Sequence, residues 1–541
     1  MTTDPAPAPV VHTCGGDLRG IPADGGGAVF AGIPFAAPPL GDRRFRPPLP
    51  LEPWTGVRDA TVFRGGPAQR NLTPAVRASA PGTGDGSGTD GYRREKDVRT
   101  LDPRLAAMAA VSRHLDETSS EDCLYLNVWS PSLSKRHPVL VWIFGGGFES
   151  GTASPPAFDG AALSRLTGAV VVAANYRVGA LGWLLPTGPG RERWADSANL
   201  GLQDQAATLR WVHDNIAGFG GDVDNVTLAG ASAGAFIVGA LLALPAAAGT
   251  FHKAILHSGS TGRIYPSDTA AAIADDLMAV VGAKDMDALA GVPLDHILDA
   301  QRTVIDREMG RRNLPGGRAW GLVLDGTVLT EHPLHAVAAG AATGIPLLVG
   351  ANRDEFRGFA AIGGHTYQPP HSEQELLAEM ASAGIREPTA LLAVYRARLA
   401  NTPTERAQDR SELGDLRTLF LTDAVYRIPA IRLARAQTEA GGTAHAYLFA
   451  GEPNGPRGGS HHGAEAMYLF DKLAAAGIDT PEHRTIRDSL TCAWADFIAD
   501  GNPGWPTYNP FSTDNARQFG DARATVTEPP LDTSPFWNDG A

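Results

Sequence analysis

The sequence predicts an α/β fold in which a large, mostly parallel sheet is covered by helices on both faces. Three observations predict it. Short, continuous runs of apolar and β-branched residues recur along the chain. Segments with apolar residues at helical spacing lie between them. One such run passes through a Gly-Ala-Ser-Ala-Gly turn directly into an apolar helix start.

Val139-Leu-Val-Trp-Ile-Phe144 reads as a buried strand, and Val170-Val-Val-Ala-Ala-Asn-Tyr176 as a second. Neither run alternates with polar residues, as expected of strands covered on both faces. Leu200 to Ala217 carries Leu202, Ala206, Leu209, Val212 and Ile216 on one helical stripe. Val226, Thr227 and Leu228 form a short strand before the turn, and Ala235, Phe236, Ile237, Val238, Ala240, Leu241 and Leu242 start the helix after it. Three more strands follow, at Lys253–Gly259, Pro346–Asn352 and His445–Phe449. Ile486, Leu490, Trp494, Phe497 and Ile498 mark a late helix. Helical segments at about 265–310 and 372–437 are read as caps above the sheet. The turn-rich stretch Pro81–Gly91 and its flanks, about 71–118, read as an exposed, mobile loop; its composition does not demand that it act as a lid.

The 541 residues are 43% hydrophobic and 19% charged, enough for a large core. The net charge of −13 argues against nucleic acid and against anionic membrane surfaces. Cys14, Cys123 and Cys492 are too few and too odd in number for a disulfide framework. The first twenty residues lack a basic start followed by an apolar run, and no stretch of about 18 apolar residues appears. A cytoplasmic protein, monomeric or weakly homo-oligomeric, is expected. The chain has no G-x-x-x-x-G-K-[ST] and no H-E-x-x-H, so no cofactor and no metal is expected.

The segment Phe219–Gly234 carries the chemistry. A strand, a sharp turn with Ser232 at its tip and a helix make a nucleophile elbow, which identifies an α/β-hydrolase fold. Gly230 and Gly234 flank the serine because strand and helix come too close there for side chains. Serine hydrolysis also needs a base, a carboxylate to orient that base, and N–H donors for the oxyanion. The donors are expected from the turn Phe144-Gly-Gly-Gly-Phe148, at Gly146 and Gly147, together with the Ala233 N–H. Acid and base should follow Ser232 in that order.

Phe219–Gly234 resembles the active-serine signature of the type-B carboxylesterases, the family that includes the cholinesterases. Glu121-Asp-Cys-Leu-Tyr-Leu-Asn-Val-Trp129 resembles that family's second signature. Gly32–Pro39, Asn175–Gly179, Phe251–Ser260 (with Ser258 beside the site) and Gly501–Pro503 are further family-like stretches, in family order. The resemblance implies one large domain over 1–541, of the bacterial para-nitrobenzyl-esterase type, acting on a small-molecule ester. Asn352-Arg-Asp-Glu-Phe356 is similar to the family's acid loop, which implies Glu355 rather than Asp354. Ser460-His-His-Gly-Ala-Glu465 is similar to its histidine loop, which implies His462 rather than His461. Read without the family, the adjacent histidines would be ambiguous. The family also implies two structural ion pairs, Arg44 with Glu121 and Arg177 with Asp222.

Four departures from the family pattern stand out. Ala231 stands where the family usually has glutamate, which leaves Glu465 without its usual partner. Phe144 replaces a histidine often found before the three glycines. Cys123 lacks the partner with which secreted members form a disulfide, so it is expected as a buried free thiol. The segment 71–120 holds no tryptophan for cation–π binding of a quaternary ammonium. The expectation is a serine ester hydrolase for neutral, fairly apolar esters, with carbamates and amides open to the same machinery. Adhesion proteins of the same fold lack one of the three catalytic residues, and here all three are present.

Overall fold

A computed structural model describes residues 7–23, 26–70, 118–155, 158–362, 368–400, 411–512, 516–520 and 536–537. The loop expected over 71–118 lies outside the described residues except for Thr118.

At the N-terminal end, β1 (Val10–Thr13), β2 (Gly16–Arg19) and β5 (Val57–Asp59) form a small sheet of their own. Between them in sequence lie β3 (Ile21–Pro22) and β4 (Ala28–Pro34), which belong to the main sheet. The remaining members of that sheet are β6 (Tyr125–Ser130), β7 (His137–Ile143), β8 (Val170–Ala174), β9 (Gly221–Ala231), β10 (Lys253–His257), β13 (Leu347–Asn352), β14 (Ala444–Phe449) and β15 (Ala516–Phe519). A separate parallel pair, β11 (Ile264–Pro266) and β12 (Leu322–Leu324), brackets the first expected cap.

The ten strands run in the order β15-β14-β13-β10-β9-β7-β8-β6-β4-β3. From β15 to β8 every pairing is parallel; β6, β4 and β3 extend the edge antiparallel. The sequence reading of a mostly parallel sheet therefore holds, and the mixed edge is an addition to it. Its strands are masked in the sequence by glycine, proline and polar residues.

The central strands are dry. Val139, Leu140, Val141, Ile143 and Val170–Val172 are fully buried, each such side chain stabilising the fold by about 1.5–3 kcal/mol. The helices Gly160–Thr167 and Pro481–Asp500 pack together on one face. Leu200–Asn215, Ala233–Leu241 and Ile428–Glu439 cover the other. Ile428–Glu439 was expected within a cap; it packs on β13 and β14 instead, because its buried stripe of Ile428, Leu433, Ala434 and Gln437 faces the sheet. The helices Ser267–Val281, Met286–Ala290 and Leu294–Ala300 lie within the first cap segment, and Glu373–Ser382, Pro388–Ala400 and Glu412–Thr422 within the second.

Arg44 and Glu121 pair as expected, by two bonds of 2.5 Å, and Arg44 also reaches the Ala290 and Val292 carbonyls. The second expected pair is corrected. Arg177 bonds Asp204 through its backbone N–H, Nε and a terminal nitrogen at 3.0, 2.9 and 2.7 Å, while Asp222 meets Arg136 at 2.6 Å. The topology explains it. Arg177 follows the C-terminal end of β8, whereas Asp222 sits at the N-terminal end of the co-directional β9, so the two lie at opposite edges of the sheet. Cys123 is a buried free thiol, pushed well up in pKa by that burial.

Candidate active site

Four adjacent parallel strands align at their C-terminal ends. Ala231 of β9 is level with His257 of β10, which is level with Gly350 of β13 and then Tyr447 of β14. Residues that follow these positions emerge at one edge of the sheet, and the predicted site residues come from those loops. Carboxyl ends of parallel strands are where open α/β sheets bind ligands.

Ser232 follows Ala231 with φ 56° and ψ −123°, a strained conformation costing about 1–3 kcal/mol for a residue with a side chain. The surroundings hold it there. The Ser232 N–H donates to the His257 carbonyl at 2.9 Å, and the helix Ala233–Leu241 begins at the next residue. The flanking glycines are required by space. A Cβ on Gly234 would lie 2.1 Å from the Ile143 carbonyl oxygen, and one on Gly230 would lie 2.5 Å from Gly234.

The turn after β7 approaches the serine from the side. A Cβ on Gly145 would stand 3.0 Å from Ser232 Cβ, so this backbone is in van der Waals contact with the nucleophile elbow. Gly146 and Gly147 take φ of 130° and 66°. Their N–H groups and that of Ala233 donate to no acceptor among the described residues. Phe144, in place of a histidine, stacks on Tyr176 with centroids 4.4 Å apart, and the Tyr176 hydroxyl donates to the Phe144 carbonyl.

Glu355 and His462 meet directly. His462 Nδ1 lies 2.6 Å from Glu355 Oε2, and Glu355 is fully buried. Oε1 of the same carboxylate accepts the Asn352 N–H at 2.7 Å, and the His462 N–H donates to the Glu355 carbonyl at 3.1 Å. Burial disfavours the His462 cation most, yet the Glu355 charge and hydrogen bond outweigh it, so its pKa is raised. Tyr426 and Phe359 wall the imidazole, with ring centroids at 4.8 and 5.0 Å. Ser232 and His462 share the sheet edge without a direct hydrogen bond; such contacts often tighten only around a substrate.

The neighbours that could compete are otherwise engaged. Asp354 accepts from Arg353 and from the Ser460 N–H at 3.0 Å; burial would raise its pKa, but Arg353 and Arg357 hold it below the ordinary value. His461 bonds the His462 carbonyl through Nδ1 and Asn454 through Nε2, and burial lowers its pKa. Both ring nitrogens are thus occupied.

Glu465 has a partner after all: the side chain of Asn352, which also donates to the His461 carbonyl at 2.8 Å. Asn352 therefore ties the acid loop to the histidine loop. Its place in the Asn-Arg-Asp-Glu run was the available signal. Burial, then the nearby Glu355 charge, push Glu465 up to about 7. Ser258 is buried at φ 50° with its hydroxyl unpartnered. Ala231 is partly buried beside the elbow. Tyr426 was not anticipated; it sits in a wide π-type turn, Asp423–Arg427, between two helices, a distortion that often marks functional sites.

Comparison with known proteins identifies the family. A model of the carboxylesterase family matches residues 7–529. The chain is 32% identical to the para-nitrobenzyl esterase of Bacillus subtilis (strain 168) over 520 residues, 92% of each chain. It is 31% identical to the fumonisin B1 esterase of Sphingopyxis macrogoltabida, covering 93% of this chain and 85% of that one. The crystal structure of the Geobacillus stearothermophilus carboxylesterase EST55 at pH 6.2 superposes with a TM-score of 0.78 at 32% identity, over 98% of this chain and all of that one. No helix among the described residues is long and apolar enough to cross a membrane. With the fold, the elbow and near-complete coverage in agreement, the chain belongs to the carboxylesterase family and is a carboxylic ester hydrolase of the α/β-hydrolase fold.

Proposed function

We propose that Ser232 is the nucleophile, His462 its base and Glu355 the group that orients the base, with the N–H groups of Gly146, Gly147 and Ala233 binding the oxyanion. The observation that carries this reading is the 2.6 Å contact between His462 Nδ1 and buried Glu355 at the same sheet edge as the strained Ser232. His462 takes the Ser232 proton through Nε2 while Ser232 Oγ attacks the ester carbonyl. The carbonyl oxygen gains charge against the three N–H groups, which lie at a turn and a helix start and have no other acceptor among the described residues. The alcohol leaves with the proton from His462. Water, activated by the same imidazole, then cleaves the acyl-enzyme.

The substrate is read as a neutral, fairly apolar ester. Ala231 places no carboxylate beside the serine, and Phe144, Phe359 and Tyr426 line the neighbourhood with rings. A choline ester is accordingly hydrolysed no faster than an uncharged ester of equal size. The protein acts in the cytoplasm as a monomer or weak homo-oligomer, a state read by size-exclusion chromatography. The mechanism is tested with 4-nitrophenyl butyrate. A burst of nitrophenol and a butyryl adduct on the Ser232 peptide are expected, and both vanish in Ser232→Ala. Absence of both burst and turnover in the unaltered protein rejects the reading.

A further inference from the structure

Arg263 follows Ser258 by five residues, and only 7% of it is exposed. Its Nε and one terminal nitrogen are buried with no hydrogen-bond partner. An arginine cannot shed its proton. A buried guanidinium without an anion is therefore an expensive arrangement, and removing or supplying its partner changes its energy strongly. Its Cζ lies 5.1 Å from the ring centroid of Phe148, the residue that ends the glycine turn.

A neighbouring carboxylate does not satisfy it. Glu149 is buried and feels the Arg263 charge, but its hydrogen bond goes to Arg312 at 3.0 Å. Arg312 also donates to the Asp306 carbonyl. Arg263 is thus the surplus cation of this group.

Arg263, Arg312 and Arg432 line a cavity of about 420 Å³, together with Tyr265, Asn313 and Trp537. Among the described residues its lining includes no aspartate and no glutamate. That volume falls in the range of small-molecule sites. None of the proposed catalytic residues lines it, but its lining reaches the neighbourhood of His462. Arg263 is near enough to His462 to disfavour its cation, and the lining residue Ala424 is two residues from Tyr426, whose ring contacts His462.

We infer that Arg263 anchors a free carboxylate carried by the ester substrate, so that the chain prefers esters bearing an acid group to their uncharged equivalents. The bidentate geometry of a guanidinium suits a carboxylate. The acid lies away from the scissile bond, so this inference narrows the neutral-ester reading above to the part of the substrate beside Ser232. This inference rests on the esterase reading.

Paired substrates test it in two arms. The acyl-side arm compares 4-nitrophenyl hydrogen adipate with its carboxamide, 4-nitrophenyl adipamate. The alcohol-side arm compares 3-carboxyphenyl butyrate with 3-carbamoylphenyl butyrate. In one arm kcat/KM for the acid should exceed that for the amide by about 10- to 100-fold, the range of a hydrogen bond to a charged group. In Arg263→Met that ratio should fall to about 1. Should Arg263→Met fail to fold, Arg263→Lys, which keeps the charge and loses the fork, should show an intermediate ratio. Acid-to-amide ratios at or below 1 in both arms of the unaltered protein overturn the inference, as does a preference that survives in Arg263→Met or rests undiminished in Arg263→Lys. Turnover of the amides without a gain for the acids counts against the carboxylate site alone. No turnover of any of the four esters counts against the esterase reading itself.

Discussion

Oε2 of Glu355 lies 2.6 Å from Nδ1 of His462, while Oε1 of the same carboxylate accepts the Asn352 N–H at 2.7 Å. One buried side chain thus links the imidazole to the end of β13. Changing Glu355 to Gln keeps the shape but presents an amide to the ring, favouring the wrong tautomer. The expected result is a fall in kcat of about 10³- to 10⁴-fold with little change in KM. Steady-state kinetics on 4-nitrophenyl butyrate, with circular dichroism to verify folding, measures it. A loss under tenfold would remove Glu355 from its role.

The raised pKa of His462 sets an acid limb. The proposed base works only when neutral, so kcat/KM should rise with pH through an apparent pKa above the ordinary imidazole value of 6.5. In Glu355→Gln the opposing charge is gone, burial dominates, and the limb of the residual activity should move to lower pH. A pH–rate profile on each protein reads both; a limb below 6.5 in the unaltered protein would contradict the assignment.

Glu465, pushed up to about 7, gives the opposite kind of signature in stability. Between its ordinary value of 4.5 and about 7 the folded protein keeps a proton that the unfolded chain has lost. The stability contributed by this group therefore falls as pH rises through that window and is flat above it. Gln cannot ionise. The Tm of Glu465→Gln, relative to the unaltered protein, should rise between pH 5 and pH 8. The His462 limb should also shift down, because the Glu465 charge supports the imidazolium. A Tm difference independent of pH would show that Glu465 does not titrate there.

Gly146 and Gly147 are separable. A Cβ on Gly146 would lie 1.9 Å from the Ser150 carbonyl oxygen at φ 130°, so Gly146→Ala must open the turn. A loss of kcat of about 10²- to 10³-fold is expected, the effect of losing one oxyanion donor. Gly147→Ala meets no atom within 4 Å and bears mainly the strain of a left-handed alanine, about 1–2 kcal/mol. Its kcat should fall less. Equal losses would show that backbone strain, not donor position, governs this turn.

The corrected ion pair is a stability prediction. Asp204 is fully buried against Arg177, and Asp204→Asn should destabilise the protein by about 3–5 kcal/mol by stranding the guanidinium. Asp222 pairs with a largely exposed Arg136, and Asp222→Asn should cost under about 1 kcal/mol. Urea melts of the two variants distinguish them; similar midpoints would refute the assignment.

Much of this site is legible in the chain because its constraints are local. Ser232 sits between glycines whose Cβ positions the backbone fills, so the turn writes itself into five consecutive residues. The parallel core strands are readable as unbroken apolar runs because both of their faces are dry. Glu355 and His462 are less local. Their loops carry two acids and two histidines side by side, and only a resemblance chose between them. The folded structure gives the physical reason for the choice: Asp354 is held by Arg353 and Ser460, and His461 by Asn454 and a carbonyl.

The sequence by itself determined the central parallel strands, the elbow and the chemistry that a serine at such a turn can perform, since these follow from side-chain volume and periodicity within short windows. Only the tertiary structure decided which distant groups meet. It paired Arg177 with Asp204 rather than Asp222, because strand direction sends residues to one edge of the sheet or the other. It joined Asn352 to Glu465 and left Arg263 buried without an anion beside a cavity. Coulomb energy and hydrogen bonding depend on distance through space, and chain separation does not encode that distance.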